Sequence, residues 1–177
     1  MNTTMVFSAP WGRSLKMSTA MTVFILIVIP IVGFLIRLPH TLLLHKHVVG
    51  VIVLCCMILI PLSIIIGTAL FMVRGYAITN DKLFIQRLVW RTIIDMNHLK
   101  TVEINPDAIK KSTQVFGNGG VFSFTGKFRN EQLGVYRAYA TNPDLAVILN
   151  FSDKVIVVTP DNPNIFAEQL RSTLATG

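Results

Sequence analysis

Two long apolar runs fill the first part of the chain, and short alternating segments fill the rest. The first run extends from Thr19 to Arg37, and the second extends from Val48 to Val73. A helix of about 20 apolar residues crosses a hydrocarbon core about 30 Å thick. The pattern therefore predicts an N-terminal tail and two transmembrane helices within residues 1–74, at about 19–37 and about 48–73.

The short connection between the two runs allows only an antiparallel pair of helices, so both chain ends are expected on one side. No small-residue cleavage site follows the first run, which favours a retained helix over a signal peptide. Positively charged flanks mark the cytoplasmic side. The flanks outside the helix pair hold more Lys/Arg than the connection between the helices; the residues compared are Arg13, Lys16, Arg74, Lys82, Arg87 and Arg91 against Arg37 and Lys46. A multi-pass inner-membrane protein with cytoplasmic termini is therefore predicted.

From Gly75 onward, apolar and polar residues alternate with the period of strands. Turn residues separate the runs, which predicts about seven strands in an antiparallel sandwich or barrel. The glycine-rich stretch before residue 121 is expected to be a mobile loop within residues 106–120. Asn162 and Pro163 suit the start of a helix over about 163–175. An apolar stripe on this helix would cover one end of the β domain; it comprises Ile165, Phe166, Leu170 and Leu174. The fold class is therefore α+β, with a β domain at 75–177.

Charge is distributed as unevenly as hydropathy. The net charge is +7, yet the first acidic residue is Asp81. Of the 16 Lys/Arg and nine Asp/Glu, five basic residues and no acidic residue lie in residues 1–74. The excess charge thus belongs to the flanks of the apolar runs, and the β domain is too balanced for a nucleic-acid-binding protein.

Several separated motifs of the β domain resemble the bacterial PH-like (pleckstrin-homology-like) domain family. They are Tyr76-x-Ile-x-x-Asp81-x-Leu83, the segments 117–128 and 133–141, and the segment 155–163 followed by Phe166 and Leu170. Members of this family often carry two transmembrane helices before the domain. The resemblance implies a PH-like fold and a non-catalytic binding or assembly module, with no cofactor. In eukaryotic PH domains a basic first hairpin loop binds phosphoinositides, but this chain offers only Lys82 there.

Candidate chemistry outside that family is weak. Asp95 and His98 lie close in sequence, but their spacing is typical of a polar turn and not of a catalytic pair. Cys55 and Cys56 lie within the second apolar run, where they are expected to be small apolar fillers. A metal-binding alternative would use three histidines near the helix connection, although no carboxylate or thiol accompanies them; these are His40, His45 and His47. The chain is therefore predicted not to be an enzyme.

Two kinds of binding surface remain as hypotheses. Phe122, Phe124 and Phe128 are predicted to share one strand face, which would serve either as core or as a groove for an acyl chain or peptide. A basic face could attract anionic lipid, although scattered solvated charges are the simpler interpretation; its candidates are Lys82, Lys110, Lys111, Lys127, Arg129 and Arg137. The predicted function is a membrane-anchored module that self-associates or holds a protein partner. The alternative is a module that binds lipid or a small ligand.

Overall fold

A computed structural model describes residues 4–43, 47–79 and 81–176. Two helices, α1 (Arg13–Leu43) and α2 (His47–Leu70), come early, and a third, α3 (Pro163–Thr176), comes last. Within the described residues there are ten strands: β1 (Met5–Ser8), β2 (Val73–Thr79), β3 (Lys82–Arg87), β4 (Arg91–Asp95), β5 (Leu99–Ile104), β6 (Thr113–Val121), β7 (Ser123–Asn130), β8 (Gly134–Ala140), β9 (Val147–Phe151) and β10 (Val155–Val158).

The helix pair exposes its apolar side chains. In the most apolar stretches of α1 and α2, 6% and 0% of the residues are buried. A core helix of a soluble protein would be mostly buried, whereas a helix surrounded by lipid can leave its apolar side chains uncovered by protein. By length and composition both helices are therefore candidate membrane spans, as the sequence predicts. α1 extends beyond the predicted 19–37 at both ends, and α2 ends before Val73, which begins β2.

The two helices contact each other beside Gly33. A Cβ added at Gly33 would meet only the terminal methyl group of Met57 on α2, a flexible side chain that fills the space beside this glycine. Gly67 has no atom within 4 Å of such a Cβ and plays no comparable role. The hydroxyl of Ser63 donates to the Ile60 carbonyl and that of Thr68 to the Ile64 carbonyl, which satisfies these polar groups inside an apolar helix.

The strands form two sheets that do not close into a barrel. The first has the order β1-β2-β3-β4, and the second has the order β5-β9-β10-β8-β7-β6. The prediction of an antiparallel sandwich is confirmed in outline, with one exception: β10 runs parallel to β8 while it pairs antiparallel with β9. Ten strands exceed the predicted number of about seven, and two of those that were not predicted are β1 in the first sheet and β6 in the second.

One main core lies between the sheets, under α3. Both sheets contribute alternate residues, as expected for strands buried on one face. The ring of Phe166 from α3 packs edge-on against Phe7 and Tyr76, at centroid distances of 5.1 and 6.0 Å. Helix α3 begins at Pro163 as predicted, and Phe166 and Leu170 are buried. Ile165 was also expected in the buried stripe, but it is 55% exposed, and the side chain of Leu174 is outside the described part.

The prediction of a mobile loop at 106–120 was wrong for most of that stretch. A short 3-10 turn (Pro106–Ile109) is followed by β6, a nine-residue strand that pairs with β7. Glycine makes this pairing possible, because Gly117 lies opposite Gly126 and a Cβ on either would overlap the backbone of the other strand. Both have positive φ, 118° and 141°, which other residues rarely adopt. Glycine here permits a strand with a close backbone approach, not a flexible loop.

Strand β1 was missed, since four residues ahead of a long apolar run give almost no periodic signal. Met5–Ser8 pairs antiparallel with β2, with Phe7 opposite Tyr76. The Ser8 hydroxyl also donates to the Asp161 carboxylate at 2.7 Å. Because β1 precedes α1 and β2 follows α2, this pairing holds the outer ends of the two helices close to each other, which fits an antiparallel pair.

The first turns of α1 pack against the β domain. Leu15 and Thr19 are buried, and the Ser18 hydroxyl donates to the Gly120 carbonyl at 2.5 Å. Thr19 accepts from the backbone N–H of Phe122 at 3.0 Å. On the side of α2, the Ser123 hydroxyl donates to the Phe71 carbonyl at 3.4 Å. The turn between β6 and β7 is therefore where both helices meet the domain.

Candidate binding surface

Three of the predicted basic residues lie together on strands β7 and β8. Lys127 is directly opposite Arg137 across the antiparallel pair, and Arg129 lies two residues further along β7 on the same face. All three are exposed. Alternation in a hairpin places such residues side by side because side chains on one face recur every second position.

Apolar residues surround these charges. Phe116 on β6 lies opposite Lys127, and Val135 on β8 lies opposite Arg129. Phe116 is 77% exposed and Val135 is 57% exposed. We refer to Phe116, Lys127, Arg129, Val135 and Arg137 as the β6–β8 surface. Exposed apolar residues beside positive charges make this surface a candidate for binding.

The other three predicted residues are not part of this surface. Lys82 begins β3 in the first sheet, opposite Asp95. It lies at the far end of the β2–β3 hairpin from α2, about 20 Å away along the strand at about 3.3 Å per residue. Lys110 pairs with Asp107 at 2.5 Å, and this hydrogen bond, with the attraction of the carboxylate, raises the pKa of Lys110. Lys111 is exposed at a positive φ of 57° just before β6.

A small cavity of about 210 Å³ lies on the opposite face of the second sheet. Its floor is apolar and includes Phe124, Phe128 and Ala138. At one end the Tyr136 hydroxyl donates to the Ser112 hydroxyl at 2.7 Å. Burial raises the pKa of Tyr136, while the bond to Ser112 opposes the shift.

The predicted aromatic face is only partly present. Phe124 and Phe128 both line the cavity, so the expectation of a shared face holds for them. Phe122 was expected beside them, but it lies in the turn between β6 and β7 with a φ of 62°. Its ring packs instead against Trp11 at 5.9 Å, beside the start of α1.

A further cluster at the helix junction escaped the sequence analysis. The guanidinium of Arg87 lies 5.5 Å from the ring centres of Phe71 and Tyr139 and 5.8 Å from that of Trp90. Its Nη1 donates to the Phe71 carbonyl at 3.2 Å, and partial burial lowers the pKa of Arg87. We call Phe71, Arg87, Trp90 and Tyr139 the junction cluster. These residues are far apart in sequence, and the only early signal is an apolar turn, Leu88-Val89-Trp90, where polar residues are usual.

Catalytic and metal chemistry finds little support in this geometry. The Asp95 carboxylate accepts the backbone N–H of Asn97 at 3.0 Å, so it builds a turn, and His98 beside it is exposed. Among the described residues no group of three or more His, Cys, Asp or Glu could hold a metal ion. The hypothesis of a site formed by His40, His45 and His47 falls outside the described side chains.

Comparison with known families agrees with the architecture. Residues 74–174, more than half of the chain, match the family described as Bacterial PH domain. The chain belongs to the bacterial PH domain family. The resemblance seen in the sequence is thereby confirmed, and the matched region of this bacterial PH domain begins directly after α2 and ends within α3. No curated protein and no solved structure gives a significant match.

Proposed function

We propose that this bacterial PH domain protein is a non-catalytic binding or assembly module anchored in the bacterial inner membrane. It would self-associate or hold a protein partner at the cytoplasmic surface. The family supports a binding role, and the two exposed apolar helices support the anchor. Arg13 and Lys16 near the start of α1 and Arg74 after α2 favour the cytoplasm for the β domain.

The free edge of β6 carries the proposal. In the described part of the chain, β6 pairs with β7 on one side and with no strand on the other. Helix α1 contacts the last residues of β6, where Ser18 donates to the Gly120 carbonyl, so the open edge is the first part of the strand, with Val115 and Phe116. Natural proteins usually protect a long edge strand with charge, proline or a covering element, since its unpaired backbone groups accept another strand. The residues of β6 include no charged residue and no proline, and Val115 and Phe116 point apolar surface outward. An added strand would gain backbone hydrogen bonds and cover these side chains.

The positive charge beside β6 favours a partner strand with acidic side chains. Lys127 and Arg137 lie one and two strands from the edge and are exposed on the face that Phe116 shares. Acidic side chains on an added strand would meet this positive charge and speed the encounter. Each exposed ion pair would contribute less than about 1 kcal/mol, so the charges would select the partner more than they would strengthen binding.

The mass of the intact complex extracted in mild detergent tests this function. We expect a mass above that of the monomer, from a second copy or from a partner. Phe116→Lys should reduce the complex to the monomer, because it places a charge on the free edge. Ile93→Lys is the matched control, since Ile93 is an exposed apolar residue on β4, an edge strand of the first sheet. A wild-type monomer without partner, or equal behaviour of both variants, would contradict the proposal.

The cavity favours a second candidate function, the binding of a lipid or small ligand. Its apolar floor could hold a short acyl segment, with Lys111 located in sequence between the lining residues Ile109 and Ser112. Native mass spectrometry of the full chain should then show a retained small molecule. Ala138→Phe would fill the cavity and remove this molecule, whereas the exposed substitution Val135→Phe would not. A wild-type protein without any bound molecule would rule this function out.

A further inference from the structure

The β3–β4 turn carries apolar residues where a soluble domain would carry polar ones. Leu88, Val89 and Trp90 are 49%, 70% and 38% exposed. The turns at the far end of the same sheet are different, since Asp81 and Asp95 lie there. The far end of the first sheet therefore carries acidic residues, whereas this end carries exposed apolar residues together with Arg74, Arg87 and Arg91.

The apolar end of this sheet is continuous with helix α2. Phe71, the first residue after α2, is half exposed, and its ring packs edge-on against Trp90 at 5.1 Å. Arg87 connects the two segments through its hydrogen bond to the Phe71 carbonyl and its position over both rings. Apolar surface therefore continues from Phe71 at the end of α2 to Trp90 on the domain, with the Arg87 guanidinium over both rings.

The packing of the two helices sets the level of the membrane boundary. Gly33 meets Met57 where α1 and α2 cross. Nearly equal lengths of helix, about 18–20 Å at 1.5 Å per residue, lead from Gly33 back to Met21 and from Met57 on to Leu70. Met21 and Leu70 therefore lie level with each other. Phe71 and Trp90 are at that same level.

The two tryptophans of the chain lie at different distances from the level of Met21 and Leu70. Trp11 precedes α1, and Arg13, the first residue of α1, is already about 12 Å along the helix from Met21. Trp11 also packs against Phe122 in the turn that receives the helices. Trp90 is beside the last residues of α2. Tryptophan is enriched at the boundary between headgroups and acyl chains, where its ring is apolar and its N–H stays solvated.

We propose that the Leu88–Trp90 turn inserts into the headgroup–acyl boundary of the bilayer that α1 and α2 span. Arg87 then lies at the depth of the lipid phosphates, where a guanidinium is favourable. The turn is a third membrane contact, and together with the two helices it fixes the tilt of the β domain. This arrangement turns the β2–β3 hairpin loop, including Lys82, away from the lipid surface. The inference rests on the proposed membrane anchor.

Tryptophan fluorescence of the full chain in phospholipid vesicles tests this inference. Trp11→Phe leaves Trp90 as the only tryptophan, and Trp90→Phe leaves Trp11. With lipids brominated at a shallow position of the acyl chain, Trp90 should lose most of its emission, and its emission maximum should lie to the blue of that of Trp11. Trp11 is only partly exposed and packs against Phe122, so brominated lipid should quench it less than Trp90.

A third variant separates this inference from the anchor itself. Phe34→Trp, in a chain without the other two tryptophans, reports on the middle of α1. Quenching of that tryptophan by deeply brominated lipid, together with iodide quenching of Trp90, would overturn the inserted turn but leave the anchor intact. If neither tryptophan responds to brominated lipid, both the anchor and the inserted turn are wrong.

Discussion

The helix pair and the β domain use the same apolar residue types in opposite ways. In α2, Ile58 and Leu59 are more than half exposed, whereas Leu83 and Leu149 in the sheets are fully buried. Burial from water drives the folding of the domain. It cannot hold the helix pair together, because its side chains are hardly covered. The two regions thus differ in how far their apolar side chains are covered by protein, and four substitutions test that difference.

Removal of a core ring should have the largest effect. Phe166→Ala deletes a fully buried ring between the sheets and α3, and should lower the free energy of unfolding by about 3–5 kcal/mol. Chemical denaturation followed by circular dichroism measures the change. Ile165→Ala, next to it on the exposed side of α3, should cost less than about 1 kcal/mol. Equal losses for the two variants would show that α3 does not cover the core.

A charge in the middle of α2 should weaken the membrane insertion of the helix pair. Leu59→Arg exposes a guanidinium to hydrocarbon, which costs about 2.5–3.5 kcal/mol in membrane insertion. The fraction of protein that resists alkaline extraction from membranes should fall. Phe116→Arg, at an exposed apolar residue of the domain, should leave that fraction unchanged. If Leu59→Arg has no effect, α2 is not surrounded by lipid.

Substitution of the paired glycines tests the backbone contact inside the second sheet. Gly126→Ala places a Cβ against the Phe116 carbonyl at a φ of 141°, which should destabilise the domain by about 3 kcal/mol. Gly134→Ala also has a positive φ, 65°, but open space around it, so about 1 kcal/mol is expected. Thermal unfolding of the two variants compares them. A smaller loss at Gly126 than at Gly134 would contradict the close approach of β6 and β7.

The smallest effect should come from one hydroxyl group, and it should depend on pH. Tyr76 donates to the Tyr139 carbonyl at 2.6 Å, and Tyr76→Phe should cost about 1–2 kcal/mol. Burial raises the pKa of Tyr76 to about 12, although the hydrogen bonds with Thr159 lower it in part. Because this value exceeds the unfolded value of about 10, the neutral hydroxyl stabilises the fold below about pH 10, and this stabilisation is lost as pH rises toward 12.

Denaturation of both proteins between pH 9 and pH 12 measures this loss. The stability advantage of the wild type over Tyr76→Phe should shrink above about pH 10. An advantage that stays constant to pH 12 would show that Tyr76 ionises no later than a free tyrosine.

The sequence predicted the parts of the fold whose signal is local. Unbroken apolar runs identified both helices, and alternation identified most strands. That Lys127 lies opposite Arg137 could be read only from the register of β7 and β8. Strand β6 was mistaken for a loop because glycine usually signals flexibility, and only the partner strand shows that Gly117 faces Gly126. The junction cluster could not be predicted either, since it joins residue 71 to residues 87, 90 and 139 through tertiary packing.

The position of β1 has a practical consequence for anyone who wishes to work with the domain in solution. A chain cut to residues 73–177 contains the whole family match but leaves the edge of β2 open and uncovers the side of Phe166 that Phe7 packs against. Such a fragment should aggregate and fold poorly. A synthetic peptide of residues 4–9, supplied in excess, should pair with β2 in place of β1 and keep the fragment soluble.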